Sequence, residues 1–180
     1  MQRHIIVSGI PGSGKSTVAR AVAIAMNLVM LDKDDFLEAL FESDGTGDAG
    51  WRRRLSRAAD DVLQERVLAS DGAVITSWWR HPASEVDSGT PVDWLASLAG
   101  TAVEVNCVCR PEIAAERFLS RKRHEGHLDH LKTNADVLAS FKQQAALGPL
   151  GIARVVAVNT EEPVEVSGLI SRITAALESH

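Results

Sequence analysis

Gly9-Ile10-Pro11-Gly12-Ser13-Gly14-Lys15-Ser16 follows the spacing Gly-x-x-x-x-Gly-Lys-Ser, in which each fixed position has a chemical task. Such a turn points successive backbone N–H groups inward as a nest for phosphate oxygens. Lys15 adds a point charge for β- and γ-phosphates, and the Ser16 hydroxyl suits a Mg²⁺ ion. Pro11, Gly12, Ser13 and Thr17 complete the expected nucleotide contact with Gly9, Gly14, Lys15 and Ser16. Residues 4–8 before the turn are largely apolar, as a buried strand requires. Residues 15–26 after it carry Val18, Ala21, Val22 and Ala25 at helical spacing. A helix beginning there adds its own partial positive charge at the phosphates.

The second chemical group is Asp32-Lys33-Asp34-Asp35. Phosphoryl transfer to a hydroxyl needs Mg²⁺ on the polyphosphate and a carboxylate to orient the hydroxyl and take its proton. Asp34 is the candidate base and Asp32 the candidate partner of Mg²⁺, while Asp35 reads as the cap of a helix over 35–41. After the third apolar run, Thr76-Ser77 stands where many ATPases keep a metal-holding acid, and Trp78-Trp79-Arg80 follows. Trp79 and Arg80 are candidate walls of an acceptor pocket, although large aromatics also serve as core. Arg52, Arg53 and Arg54 open a long helix against its dipole, with Arg54 the candidate for an acidic or phosphorylated acceptor. Arg117 and Arg121 are four apart and share a helix face. Arg117 suits stacking on adenine, and Arg121 suits the charge that develops on the transferring group. The catalytic set is therefore Asp34, Lys15 and Arg121. Thr160, in the polar turn after the last strand, is placed against adenine or at the cap of the final helix. His124, His127 and His130 are spaced by three, but Gly126 breaks the helix that a metal site would need, so 122–134 reads as a polar lid.

These residues must be positioned by a regular alternation. Apolar runs at 4–8, 28–31, 73–76, 103–108 and 155–158 read as strands. Helical patterns at 15–26, 35–41, 51–70, 93–98, 111–121, 134–147 and 163–177 lie between and after them. Residues 43–50 are turn-rich and expected to be mobile. The pattern predicts one α/β domain over 1–180, with a mostly parallel sheet covered on both faces. Ligands then gather at the carboxyl ends of the strands, where the candidate residues fall. A net charge of −5 with 24% charged residues argues against a general nucleic-acid binder. No run is apolar enough to span a membrane, and a cytoplasmic protein without a leader is expected. Cys107 and Cys109 are expected to be buried, reduced thiols.

Together these motifs resemble the small P-loop kinases, among them shikimate and gluconate kinases, adenylate kinase, chloramphenicol phosphotransferase and the zeta-toxin kinases. Asp32-Lys33-Asp34 is similar to the Asp-x-Asp of shikimate kinases, which implies Mg²⁺ for Asp32 and the acceptor hydroxyl for Asp34. Arg117 and Arg121 resemble the arginine pair of the lid-bearing helix. Cys109-Arg110-Pro111-Glu112 and Gly126-His127-Leu128-Asp129 resemble segments of uncharacterised bacterial AAA-type kinase-like proteins. The resemblance implies a three-layer fold, sheet order 2-3-1-4-5, a closing lid, and ATP and Mg²⁺ as cofactors. Neither shikimate nor gluconate carries over, because Trp78-Trp79-Arg80 replaces the glycine motif and His81-Pro82 follows strand three instead of the catalytic acid. The guanine-reading Asn-Lys-x-Asp of GTPases is absent. The expected activity is ATP-dependent phosphorylation of a small-molecule hydroxyl. A nucleotide sugar or nucleic-acid end is an alternative acceptor, and a non-catalytic nucleotide-binding regulator is an alternative role.

Overall fold

The computed structural model describes residues 3–179. Its centre is a five-stranded parallel sheet of order β2-β3-β1-β4-β5, built from β1 (Arg3–Ser8), β2 (Val29–Asp32), β3 (Gly72–Thr76), β4 (Ala102–Val108) and β5 (Arg154–Asn159). The inner strands are near-continuous Val, Ile and Ala because both their faces are covered. Ile6 of β1 sits in register with Ile75 of β3 on one side and Glu104 of β4 on the other. The edge strand β5 alternates exposed and buried positions along its second half.

Helices α1 (Lys15–Met26) and α6 (Val166–Glu178) cover one face. They close a core of Ile5, Val7, Val18, Val22, Val105, Leu169 and Ile173. On the other face lie α3 (Ala49–Leu68) and a 3₁₀ stretch, Asp93–Thr101, which enclose Ile6, Leu63, Val67, Ile75 and Leu95. Two satellite cores matter for the site. Leu37 and Phe41 of α2 (Lys33–Asp44) pack on Ala59 of α3. Phe118 of α4 (Pro111–Ser120) packs edge-on against Phe141 of α5 (Asn134–Leu147), beside Ile10 of the glycine-rich turn.

A buried ion pair and a buried carboxyl group tie these layers together. Lys33 Nζ lies 2.6 Å from Asp60 Oδ1, both side chains nearly sealed from solvent, which joins α2 to α3. Glu104 is fully buried in β4 and accepts from Ser8 Oγ and from the backbone N–H groups of Leu150 and Gly151.

Several boundaries differ from the sequence pattern. Helix α2 begins at Lys33 because Asp32, not Asp35, is its cap and accepts from Asp34 N. Only residues 45–48 separate α2 from α3, whose cap Asp48 accepts from Trp51 N. Helix α4 ends at Ser120, so Arg121 lies just past it in extended backbone. Helix α6 starts at Val166, capped by Glu165, which accepts from Ser167 N and Gly168 N; Thr160 is not its cap.

Candidate active site

The turn from Gly9 to Gly14 leaves the end of β1 and delivers Lys15 and Ser16 to the first turn of α1. Lys15 Nζ folds back to donate to Gly9 O and Ile10 O, both at 2.9 Å. Burial drives its ammonium down to about 8, against the pull of the carboxylates of Asp34 and Asp32. Beside it, Ser16 Oγ donates to Asp32 Oδ2 at 2.8 Å. Burial, with the charge of neighbouring Asp34, pushes the Asp32 carboxyl up to about 6. An oxygen pair of this kind, held in a poorly solvated place, suits a hard cation.

Asp34 lies in the first turn of α2, where its backbone N–H is the donor of the cap hydrogen bond, and its Oδ2 is taken by Arg123 Nη2. Arg123 also reaches Asp129 at 3.2 Å. Arg121 lies over the Phe118 ring, 4.5 Å from its centroid, and Lys132 lies 4.8 Å from the same centroid. Burial lowers both Arg121 and Arg52, and the charge of Arg123 adds to the effect in each. The Nε of Arg52 is buried with no partner among the described residues.

A cavity of about 500 Å³ joins these groups. Pro11, Gly12, Gly14, Lys15, Ser16 and Thr17 line one side of it. Asp32, Asp34 and Arg52 line another, and Arg117, Arg121 and Arg123 complete it. Arg117 is anchored by donating to Thr160 O at 2.9 Å and Glu161 O at 3.1 Å.

Other expected contacts fall elsewhere. Trp79 is core: its indole N–H donates to Val7 O at 2.9 Å and its ring packs with Ile6 and Leu95. Its neighbour Trp78 lines the cavity instead, with its indole N–H on Gln144 Oε1. Arg80 turns away to pair with Asp87 and borders a separate cavity of about 650 Å³. Arg54 lies on the Trp51 ring, 4.8 Å from its centroid, while Arg52 enters the cavity. Thr160 is buried beside Gly14, its hydroxyl donates to Val108 O at 3.1 Å, and it does not line the cavity. Gly9 borders the second cavity, and Ser13 is fully buried.

Arg52, Arg123 and Trp78 are the residues that reasoning from sequence underweighted. A signal for Arg52 was present. Leu55, Ala59, Leu63 and Val67 form the buried stripe of α3, and Arg52 extends it by one turn whereas Arg54 does not.

The comparisons with known proteins agree with this fold. Residues 5–147 match the AAA_33 family of AAA domains. A shikimate kinase of Legionella pneumophila (strain Corby) is 35% identical over 81 residues, 41% of this chain and 46% of that enzyme. The chain thus spans about half the length of the curated relatives it matches. A candidate kinase of Chloroflexus aurantiacus superposes with a TM-score of 0.76 at 24% identity, covering 99% of this chain and 97% of that one. A shikimate kinase of Bacteroides thetaiotaomicron gives 0.61 at 20% identity, covering 98% of both. At such identities the likeness is one of fold.

Proposed function

We propose that this chain, which belongs to the AAA_33 family of AAA domains, is a small P-loop kinase that transfers the γ-phosphoryl group of ATP to a hydroxyl of a small-molecule acceptor. The observation that carries the reading is the shared cavity. A phosphate loop, an acid pair and four arginines face one space of about 500 Å³.

Lys15 holds the β- and γ-phosphates once they displace its own loop carbonyls. Ser16 and Asp32 would hold Mg²⁺, which when bound would supply charge that neutralises the polyphosphate. Asp34 orients the acceptor hydroxyl and accepts its proton. One carboxylate oxygen is fixed by Arg123, which leaves Oδ1 for the acceptor. Arg121 faces the charge that builds on the transferring group. Arg117 borders the nucleotide on the side of the β5–α6 turn, where its planar guanidinium suits adenine. The unpartnered Nε of Arg52 favours an acceptor that carries a carboxylate or phosphate.

The test is ATP consumption across a panel of hydroxyl compounds with and without an anionic group. We expect an anionic acceptor to raise the rate above the acceptor-free level. Arg52→Ala should then raise the acceptor KM about tenfold or more, the scale of one lost charge-assisted bond, with the KM for ATP within about twofold. Arg54→Ala should change neither. If no acceptor accelerates ATP consumption, the kinase reading fails. If Arg54→Ala carries the loss instead, the acceptor end has been misplaced.

A further inference from the structure

The segment after α4 does not stand clear of the molecule but lies along one face of α2. Asp34, Glu38, Phe41 and Glu42 recur on that face at helical spacing, and each meets the segment. Arg123 takes Asp34. His124 stacks on Phe41, ring centroids 5.2 Å apart, with its Nε2 3.3 Å from Glu42 Oε1. The Phe41 ring fills the space where a Cβ on Gly126 would sit. His127 is 1% exposed, stands edge-on to Phe41 and places Nε2 2.8 Å from Glu38 Oε1. A carboxylate only accepts, so Nε2 carries the hydrogen. Leu128 then turns the chain in the left-handed region, and Asp129 comes back to hold Arg123 from its other side.

Neither His127 nor Glu38 lines the cavity. What they fix is the backbone that carries Arg123. Glu38 is one helical turn from Asp34, so the His127 anchor and the Arg123 contact sit on successive turns of one helix. We propose that His127, held by Glu38 and Phe41, is a positioning residue for the acceptor half of the site: it pins 123–129 to α2 so that Arg123 sets the Asp34 carboxylate with one oxygen free for the acceptor. This gives the Gly126-His127-Leu128-Asp129 segment a chemical role in place of metal binding or a loosely tethered lid. It rests on the reading of Asp34 as the base.

The experiment compares His127→Ala, His127→Gln, Glu38→Ala, Arg123→Ala and the His127→Ala/Arg123→Ala pair. Turnover is measured with the acceptor found by the panel, and nucleotide affinity with a fluorescent ATP analogue. The side-chain carboxyl resonance of Asp34 is followed by ¹³C NMR. We expect His127→Ala, Glu38→Ala and Arg123→Ala each to lose tenfold or more in kcat with nucleotide affinity within twofold. The double variant should be no worse than Arg123→Ala alone, and His127→Gln, which keeps a donor for Glu38, should recover much of the loss. The Asp34 resonance should move in the same direction in His127→Ala and Arg123→Ala. Parallel loss of turnover and nucleotide affinity, independent losses that multiply in the double variant, or full turnover in His127→Ala would overturn the proposal. If His127→Ala does not fold, Glu38→Ala carries the same comparison. If the unaltered protein turns over no acceptor, the kinase reading fails separately and the Asp34 resonance decides: displaced in His127→Ala, the anchor stands; unmoved, it falls.

Discussion

Raising the pH from 7 to 9 should weaken nucleotide binding about tenfold, because it strips the proton from Lys15 before the phosphates arrive. The ammonium is half-buried at the cavity wall, hydrogen-bonded to two loop carbonyls, and burial lowers it to about 8. At pH 7 about nine-tenths of the ligand-free protein carries the charge, and at pH 9 about one-tenth. A bound polyphosphate places negative charge against Nζ and holds it protonated. Binding must therefore take up about half a proton at pH 8 and nearly a whole one at pH 9, which weakens apparent affinity by about 1.4 kcal/mol over that range. Titration calorimetry of a non-hydrolysable ATP analogue with Mg²⁺, in two buffers of different ionisation enthalpy, reads the uptake directly. Lys15→Arg, charged throughout, should show none. A binding enthalpy independent of buffer at pH 8, or an affinity flat from pH 7 to 9, would refute the reasoning. On folding, the lowered value makes stability rise with pH, as it does for a carboxylate whose pKa folding lowers. The folded value lies below the 10.5 of a free lysine, so the ligand-free fold carries a penalty of about 3 kcal/mol below pH 8 that fades as pH rises towards 10.5.

Other outcomes follow from the packing. Asp60→Asn leaves the buried Lys33 ammonium with only the neutral oxygens of an amide and Ser56 and should cost about 3 kcal/mol, a fall in Tm of roughly 6–12 °C for a chain of this size. Gly12→Ala should abolish nucleotide binding. Gly12 has φ +79 and its Cβ would stand 2.1 Å from Ala114 O, so the loop or α4 must shift in addition to about 1–2 kcal/mol of backbone strain. Thermal melts with and without ATP analogue separate the two effects.

The strands were legible because β1, β3 and β4 are apolar over nearly their whole length, and the glycine spacing marked the one turn that must face phosphate. The order of the sheet came from resemblance, since no local pattern says which strand neighbours which. The misplaced residues share a physical cause. Trp78 and Trp79 are adjacent in extended backbone, so their side chains take opposite sides. Composition does not say which is inside; the answer is set by Val7, 72 residues away. Arg52 and Arg54 are two apart on a helix and cannot share a face. The choice needed the α3 stripe to be traced back to a start at Ala49. Arg123 gains its meaning from Asp34 and Asp129 together, the first of which lies 89 residues earlier. The histidines follow the same logic: spacing by three raised a metal site and Gly126 turned the reading to a lid, while the partners of His124 and His127 on α2 come from tertiary packing.

The central claim is that Asp34 accepts the acceptor's proton while the phosphate loop independently holds the nucleotide. Asp34→Asn tests it most directly, with kcat and nucleotide affinity measured on one preparation. The predicted result is a loss of at least about a hundredfold in kcat, the usual scale of general-base catalysis, with ATP-analogue affinity within about twofold. Turnover retained in Asp34→Asn, or nucleotide affinity lost to the same degree, would contradict it.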